Sequence, residues 1–364
     1  MNPYFFEKFG NPSSLHTIGD DATRILERCR ETVAGFIQAQ KEEIVFTSGA
    51  TESNYLAIIG YALRNRRRGN NIIISEIEHI SIHNIAKYLE KDGFTVTKVP
   101  VDQFGRVNIQ KLNDRITDKT ILVSIGYASN EVGTLQPMEE IGRLCREKDV
   151  VLHSDAVAAQ GLISLNVKRD SIGLMTLSSN DFYGPKGLGV LYIQHGIKLN
   201  PLLIGGGQER GLRSGTENIA AIVGMEKAVE ILQKEMNEEV KRLQYHRDLL
   251  IKNILEKIPR SYLNGHPVER LPNNAHFRFD GIEGEALLLS MKDQGISVST
   301  GSACTSKTLE PSHTLIATGL LHEEAHGSLQ LTGGRFNKEE EVTRVLEVLP
   351  EVVNRLRKLS PIYK

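Results

Sequence analysis

The sequence has no tryptophan, only three cysteines among 364 residues, and no long hydrophobic run. Cys29, Cys145 and Cys304 lie far apart and form no CxxC pair. This cysteine usage argues against a disulfide framework or an all-protein metal site, and it is typical of a reducing compartment. No apolar stretch is long enough for a membrane span and the N-terminus lacks a secretory signal pattern, so we expect a cytoplasmic protein.

Positive and negative charges are nearly balanced, because the sequence contains 44 Lys and Arg residues and 45 Asp and Glu residues. The net charge of −1 argues against a nucleic-acid partner. The one basic cluster, Arg64 to Arg68, falls at a predicted helix end, where it complements the helix dipole. Length and the 32 glycines favour a turn-rich enzyme of two domains.

Strand and helix patterns alternate along the first part of the chain. Short apolar strands are predicted over 43–47, 71–75, 94–101, 121–128 and 150–155, with helices over 21–38, 80–92, 109–116 and 138–148. This alternation predicts an α/β fold with a mostly parallel, doubly wound sheet and a site at the carboxyl ends of its strands. His79, Asn130 and Asp155 follow three successive strands, which makes them candidate site residues.

The second part of the chain has a different pattern. Two strands between Leu174 and Ile193 predict an antiparallel edge of the sheet. A glycine-rich loop and a long helix over 217–258, with a break near Met236, come next. Strands over 296–299 and 328–331 then belong to a smaller α+β domain. We place the boundary between a large domain, 1–245, and a small C-terminal domain, 246–364.

Two short stretches carry candidate chemistry. Cys304 lies among small and hydroxylated residues, which predicts a reactive, exposed thiol on a mobile loop, although a serine-rich loop that happens to hold a cysteine explains that stretch equally well. A strand, a small-residue turn and a helix start meet at Ala50 and Thr51, where free N–H groups and hydroxyls suit a phosphate. An ordinary capped helix is the commoner explanation of such a start.

Six motifs occur in order along the chain: Phe-Gly-Asn-Pro-Ser-Ser, Thr-Ser-Gly-Ala-Thr-Glu-Ser, Asn-Glu-Val-Gly-Thr, Tyr-Gly-Pro-Lys-Gly, Arg-Ser-Gly-Thr and Gly-Ser-Ala-Cys-Thr-Ser. Together they resemble the cysteine desulfurases, which are pyridoxal-phosphate enzymes of the aspartate-aminotransferase fold (fold type I). The resemblance runs from Phe9 to Phe336 and implies a NifS/IscS-type homodimer. It assigns the cofactor to the domain at 1–245 and the mobile cysteine loop to the domain at 246–364.

The resemblance implies a role for each matching residue. Ala50, Thr51, Ser178 and Thr216 of the partner subunit would hold the phosphate. His79 would stack on the cofactor ring, and Asp155 would pair with the ring nitrogen so that the ring acts as an electron sink.

The remaining assignments concern the substrate. Asn130 would lie near the cofactor's phenolic oxygen and the substrate. Cys304 would attack the sulfur of the substrate cysteine and become a persulfide.

The largest departure from the family pattern is at Asp181. The pattern has Ser-Gly-His-Lys here, whereas this chain has Ser178-Ser179-Asn180-Asp181. Asn180 therefore falls within the cofactor site, and Asp181 takes the place of the catalytic lysine that binds the cofactor covalently and moves the α-proton. An aspartate cannot form that covalent bond and is a weak base, and loss of a general base costs about a hundred-fold or more in rate. Lys186 matches a separate family lysine.

Three other departures concern the substrate side. Gln330 stands where the family has an arginine for the substrate carboxylate, which predicts a loss of roughly 1 to 2 kcal/mol in binding. Ala158 replaces a glutamine near the phenolic oxygen. The chain also starts about twenty residues into the family pattern, through a real loss or a mis-assigned start. We therefore expect non-covalent cofactor binding and weak or no turnover of cysteine.

The main hypothesis is sulfur mobilisation from L-cysteine through a Cys304 persulfide, for iron–sulfur cluster assembly on a scaffold protein. The alternative is a non-catalytic assembly partner that binds the cofactor and offers Cys304 as a sulfur acceptor or as a ligand of a shared iron–sulfur cluster. An aminotransferase or selenocysteine lyase shares the fold, but the cysteine loop counts against it. The histidines near that loop, His313, His322 and His326, are expected to be surface or packing residues.

Overall fold

The structure is a computed structural model, and it describes residues 1–300 and 311–360. The described chain divides into two compact units. The first comprises residues 1–99, 109–127 and 137–236, and the second comprises residues 100–108, 128–136 and 237–364 apart from the segments just excluded. Within the described ranges, none of the helices is both long and apolar enough to cross a membrane.

A seven-stranded sheet forms the centre of the first unit. Its strands are β1 (Ile44–Thr47), β2 (Asn71–Ser75), β3 (Thr95–Val99), β4 (Thr120–Ser124), β5 (Val151–Asp155), β6 (Leu174–Ser178) and β7 (Gly189–Ile193). Their order is β1-β7-β6-β5-β4-β2-β3. The run from β3 to β6 is parallel, and β7 is antiparallel to both β6 and β1. The predicted α/β fold with a mostly parallel sheet is confirmed.

The helices of the first unit follow the strands. They are α1 (Pro3–Phe6), α2 (Thr17–Phe36), α3 (Ala50–Tyr55), α4 (Tyr61–Asn65), α5 (Ile80–Lys91), α6 (Ile109–Arg115) and α7 (Met138–Glu147). A π-helical stretch, Leu56–Gly60, joins α3 to α4. All five residues of β2 are buried, and its Ile72 and Ile74 pack with Ile82 and Leu89 of α5 in the main core. Burial of these branched side chains is the main stabilising term of such a core.

The second unit contains a smaller antiparallel sheet. Strands β8 (Ser261–Asn264), β9 (Asn274–Phe279) and β10 (Ser328–Thr332) have the order β10-β9-β8. The helices are α9 (Gly284–Asp293), α10 (His313–Ala317), α11 (His322–His326) and α12 (Glu339–Leu359). Phe277 and Phe279 of β9 pack against Leu349 and Val353 of α12. Helix α8 (Ile219–Lys257) contains the boundary between the two units, at Met236.

Three predictions about elements were wrong. Helix α8 is continuous through Met236, because its Met-Asn-Glu-Glu sequence contains no residue that breaks a helix. Residues 296–299 form no strand, and only Ser299 pairs there, in a single bridge to Gln330. The predicted antiparallel pairing of β6 and β7 is confirmed, but β7 is not an edge strand, because β1 pairs along its outer side.

Candidate functional site

The start of α3 is built by close contacts around Gly49. A Cβ atom at Gly189 of β7 would lie 2.5 Å from the Gly49 carbonyl carbon, so only glycine fits at that position. Thr47 and Ser53 share a hydrogen bond of 2.7 Å below this turn. Space is open on the other side of Gly49, where an added Cβ would meet no atom within 4 Å. The first N–H groups of α3 therefore lie in open space just after the end of β1. The prediction of a phosphate site at Ala50 and Thr51 requires such an arrangement.

An ion pair holds the glycine-rich loop beside the same turn. Arg213 Nε donates to Glu52 Oε1 at 2.9 Å, and the N–H of Ser48 donates to Glu52 Oε2 at 2.7 Å. Thr51 and Thr216 are both exposed. Their hydroxyls are therefore available to a ligand of this chain or of a second copy.

Ser178 ends β6 and is fixed from both sides. Its N–H donates to Gln160 Oε1 at 3.1 Å, and Gln160 Nε2 donates to its carbonyl oxygen at 2.6 Å. The Ser178 hydroxyl donates to Asn180 Oδ1 at 3.0 Å. Gln160 was not among the predicted site residues. The only feature of the sequence that could have suggested it is its position in the loop after β5.

Asp155, at the end of β5, is the centre of a hydrogen-bonded cluster. Its Oδ2 accepts from Asn54 Nδ2 at 2.8 Å, and its Oδ1 accepts from the N–H of Val157 at 3.0 Å. Asn54 Nδ2 also lies 3.2 Å from Ser81 Oγ, which in turn lies 2.8 Å from His79 Nδ1. The structure thus connects Asp155 and His79 through two residues that the sequence analysis missed.

The direction of these hydrogen bonds fixes the His79 ring. The N–H of Ser81 donates to His79 Nδ1 at 3.2 Å, and the Ser81 hydroxyl, which accepts from Asn54, donates to the same nitrogen. A neutral His79 ring therefore carries its proton on Nε2. His79 itself is exposed, so one face of the ring is accessible.

Loss of solvation in the protein interior raises the pKa of Asp155 above its ordinary value, although the hydrogen bonds from Asn54 and the N–H of Val157 lower it. Burial also raises the pKa of Glu78 to about 8, and the negative charge of Asp155 contributes to that rise. Because the charge on one carboxyl group disfavours ionisation of the other, the two do not both ionise readily. A positive donor placed against Asp155 would restore its charge.

Asp181 is exposed and lies in a short 3₁₀ turn, Asn180–Phe182. Its Oδ2 accepts from Asn180 Nδ2 at 2.9 Å. Lys186 is also exposed. The position that the family pattern gives to lysine therefore carries a carboxylate at the surface of the first unit.

Asn130 lies in the second unit, on a tightly held turn. Ser129 Oγ accepts from the N–H groups of Glu131 and Val132, and Asn274 Nδ2 donates to the Glu131 carbonyl oxygen at 2.9 Å. Gly133 has a φ of +77°, and an added Cβ would meet Asn274 Oδ1 at 2.7 Å. Asn130 is exposed at the tip of this turn.

Gln330 of β10 lies beside Asn130. Its Nε2 donates to the Asn130 carbonyl oxygen at 2.8 Å. The Gln330 N–H donates to the Ser299 carbonyl oxygen at 2.7 Å, and the Ser299 N–H returns a bond of 3.3 Å. The two predicted substrate residues are thus in direct contact, and both keep an uncharged polar group.

Cys304 lies outside the described residues. Cys29 and Cys145 are buried, and burial raises the pKa of each thiol to about 12, so neither is a nucleophile at neutral pH. Helix residues His313, His322 and His326 are exposed. The described part of the chain contains no group of three or more His, Cys, Asp and Glu side chains that could hold a metal ion.

The arrangement in the first unit fits pyridoxal 5′-phosphate. Among the described residues, Asp155 forms no ion pair and Asn54 Oδ1 is buried with no hydrogen-bond partner, while the start of α3 offers N–H groups and hydroxyls. A protonated ring nitrogen complements the Asp155 carboxylate, and a phosphate dianion complements the N–H groups and hydroxyls at the start of α3.

Comparisons with known proteins point to one family. The aminotransferase class-V family matches residues 1–345. The chain is 53% identical to cysteine desulfurase IscS 1 of Archaeoglobus fulgidus, over 100% of this chain and 95% of that protein. It is 49% identical to cysteine desulfurase IscS of Clostridium botulinum (strain Hall), over 100% and 92%.

Solved structures agree. A NifS-like protein superimposes with a TM-score of 0.91 at 36% identity, covering 98% of this chain and 94% of its own. A NifS-like protein from Rickettsia africae has a TM-score of 0.85 at 30% identity, covering 94% and 92%. The chain therefore belongs to the aminotransferase class-V family of pyridoxal-phosphate enzymes, and within it to the NifS/IscS-type cysteine desulfurases.

Proposed function

We propose that this protein mobilises sulfur from L-cysteine for iron–sulfur cluster assembly. The observation that carries the proposal is the Asp155 carboxylate, held by Asn54 and Val157 beside His79 in a chain about half identical to curated cysteine desulfurases. The net reaction converts L-cysteine and the Cys304 thiol into L-alanine and a Cys304 persulfide. All atoms balance, because one sulfur moves and one hydrogen returns to carbon.

Pyridoxal phosphate supplies an electron sink for this reaction when it is bound. In our proposal, the N–H groups at Ala50 and Thr51 and the hydroxyl of Ser178 would bind the phosphate, and that hydroxyl would turn its proton from Asn180 Oδ1 to the phosphate. His79 would cover the ring, and Asp155 would hold a proton on the ring nitrogen. Binding is non-covalent because Asp181 has no amine.

Asn130 and Gln330 orient the substrate. Gln330 Nε2 already donates to the Asn130 carbonyl oxygen, so this contact keeps the Gln330 side chain against the Asn130 backbone. A substrate carboxylate would receive a neutral hydrogen bond from Gln330 in place of an ion pair, and substrate binding is correspondingly weaker. Asp181 is a weak base for the α-proton, and we expect slow turnover.

The expected assembly is a cytoplasmic homodimer that delivers sulfur to a scaffold protein. Large apolar side chains are exposed on a single copy of the first unit, including Phe6, Phe9, Leu15 and Ile204. Exposed apolar residues of this number favour contact with a second copy, which would bring Thr216 of the partner subunit into use. The free thiols of Cys29 and Cys145 suit a reducing compartment.

The test is transfer of ³⁵S from labelled L-cysteine to the protein in the presence of pyridoxal phosphate. We expect label on the native chain, no label on Cys304→Ala, and full label on Cys145→Ala, which removes a buried thiol. A native chain that binds the cofactor but takes no label from cysteine would contradict the proposal. Label accepted only from a second, active desulfurase would favour the role of a non-catalytic assembly partner, for which the surface carboxylate at Asp181 is the supporting observation.

A further inference from the structure

Asn54 is a buried residue of α3 to which the proposed function gives no role. Its side chain is polar, yet the residue is 0% exposed. Its amide nitrogen donates to Asp155 Oδ2 at 2.8 Å and to Ser81 Oγ at 3.2 Å. Asn54 therefore joins α3 both to the end of β5 and to the first turn of α5.

These two acceptors fix which way the Asn54 amide points. An ionised carboxylate can only accept, so the amide nitrogen and not Oδ1 must face Asp155. In this orientation Oδ1 is buried without a hydrogen-bond partner among the described residues. An unpartnered buried acceptor is destabilising, and an apolar side chain of the same shape would avoid that cost. The asparagine therefore indicates a need for its N–H groups.

The first N–H group of Asn54 acts on Asp155. Asp155 Oδ1 accepts from the N–H of Val157 at 3.0 Å, while Oδ2 accepts from Asn54. The two donors come from different elements and bind different oxygens, so together they fix the plane of the carboxyl group. Asp155 remains partly exposed, and a ligand can reach it.

The second N–H group of Asn54 acts on His79 through Ser81. Because Ser81 Oγ accepts from Asn54, its own hydrogen points to His79 Nδ1, which lies 2.8 Å away. The N–H of Ser81 donates to the same nitrogen at 3.2 Å and makes His79 the N-cap of α5. Two donors on Nδ1 thus orient a ring whose surface is exposed.

Packing holds both ends of this chain of hydrogen bonds in place. Ser53, next to Asn54, is fully buried and shares a hydrogen bond of 2.7 Å with Thr47 of β1. Ile82, next to Ser81, is fully buried in the main core. The positions of the Asn54 amide and the Ser81 hydroxyl are therefore determined by the core of the first unit.

We propose that Asn54 is a positioning residue for both protein groups that would contact the cofactor ring: it holds the Asp155 carboxylate directly and the His79 ring through Ser81. This role rests on the proposed function, in which Asp155 and His79 serve one cofactor. Asn54 takes no part in bond making. It couples the two groups, because one amide supplies the donor to Asp155 and the donor that orients Ser81.

The hydrogen bond from Asn54 favours the charged form of Asp155. Loss of solvation raises the pKa of Asp155, and the bond from Asn54 lowers it. The titratable groups that face this carboxyl group are Glu78 and His79, from the turn before α5, and Asp181, from the turn after β6. Removal of the Asn54 donor leaves these groups in place, so it should raise the pH at which Asp155 ionises.

The test follows the ionisation of Asp155 in cofactor-free protein, by ¹³C NMR of carboxyl groups in protein labelled at aspartate. Asp155→Asn identifies the resonance. In Asn54→Leu, which keeps the shape of the side chain and removes its N–H groups, we expect an upward shift of the titration midpoint. Asn84→Leu is the matched control, since Asn84 is exposed on α5, and it should titrate as the native protein does. A packing role alone predicts an unchanged midpoint in Asn54→Leu, and that result would overturn the proposal.

A second measurement addresses the link to His79. Absorbance titration with pyridoxal phosphate at neutral pH should show about tenfold weaker binding by Asn54→Leu and about threefold weaker binding by Ser81→Ala. The loss in the double variant should be smaller than the product of the two single losses, because both substitutions break one chain of hydrogen bonds. Losses that simply multiply would overturn the link through Ser81.

If Asn54→Leu fails to fold, Asn54→Ala takes its place in both measurements, because that substitution only removes atoms from the interior. The NMR titration needs neither cofactor nor turnover. A native chain that binds the cofactor without sulfur transfer would therefore overturn the proposed function alone, whereas native titration and binding in the Asn54 variant would overturn the positioning role alone.

Discussion

Arg30 and Glu209 form a two-point ion pair inside the first unit. Arg30 Nη1 lies 2.8 Å from Glu209 Oε2, and Nη2 lies 2.9 Å from Oε1. Only 4% of the arginine side chain and 1% of the glutamate side chain are exposed. Glu209 Oε2 also accepts from the N–H of Phe46 in β1, so this pair ties the glycine-rich loop to the strand that leads to Ala50.

The first prediction is that Glu209→Ala destabilises the protein by about 3 to 5 kcal/mol, because it leaves the Arg30 charge buried without its partner. Glu27→Ala is the matched control, since Glu27 binds the same arginine but has a side chain that is 42% exposed. The control should cost at most about 1 kcal/mol. Urea unfolding measures both, and equal losses would contradict the special role of the buried pair.

The second prediction concerns the turn that carries Asn130. Gly133→Ala should destabilise the protein by about 2 kcal/mol or more, since it combines a positive φ with a clash against Asn274. Gly93 also has a positive φ, +85°, but an added Cβ there meets no atom within 4 Å. Gly93→Ala should therefore cost about 1 kcal/mol. Thermal unfolding compares the two, and a larger loss at Gly93 would be inconsistent with the geometry.

The third prediction is a pH effect from Glu78. Burial raises the pKa of Glu78 to about 8, well above its value in an unfolded chain, so the folded protein binds an extra proton between about pH 4.5 and pH 8. Its contribution to the free energy of unfolding therefore decreases as pH rises through that window, by at most about 1.4 kcal/mol per pH unit. Glu78→Gln should remove this slope. Identical pH profiles for the two proteins would show that Glu78 has an ordinary pKa.

The fourth prediction concerns the cofactor. Asp155→Asn should weaken pyridoxal-phosphate binding by about tenfold, because a charge-assisted hydrogen bond becomes a neutral one. Dialysis should remove the cofactor from the native chain, and borohydride should not attach it to the protein. Absorbance titration and intact mass measure these outcomes. Reductive attachment at Lys186 would show that another lysine replaces the one missing at Asp181.

Local sequence patterns were sufficient for the parallel part of the sheet. Asn71–Ser75 is a short, branched, apolar run next to Gly69, and this pattern is specific enough to give β2 its observed ends. His79 and Asp155 were predicted for a similar reason, because the carboxyl ends of parallel strands meet at one edge. Their connection through Asn54 and Ser81 depends on tertiary packing and has no local signal.

The missed features all depend on contacts between distant residues. Arg30 lies on an amphipathic helix with charged neighbours, and nothing local shows that it reaches Glu209, which is 179 residues away. Glu131 follows the predicted Asn130, but it is buried next to β9, whose His276 Nε2 lies 3.9 Å from Glu131 Oε1. The single bridge from Ser299 to Gln330 likewise forms in a segment whose apolar pattern predicted a full strand.

The role of position 181 is tested most directly by alanine formation from L-cysteine. It is measured for the native chain and for Asp181→Lys, each with excess pyridoxal phosphate and a reductant. We expect slow but measurable alanine formation by the native chain and at least a hundred-fold faster formation by the lysine variant, since about that factor is attributed to a general base. Rapid alanine formation by the native chain would contradict the role assigned to position 181. It would show that another base in the chain replaces the lysine.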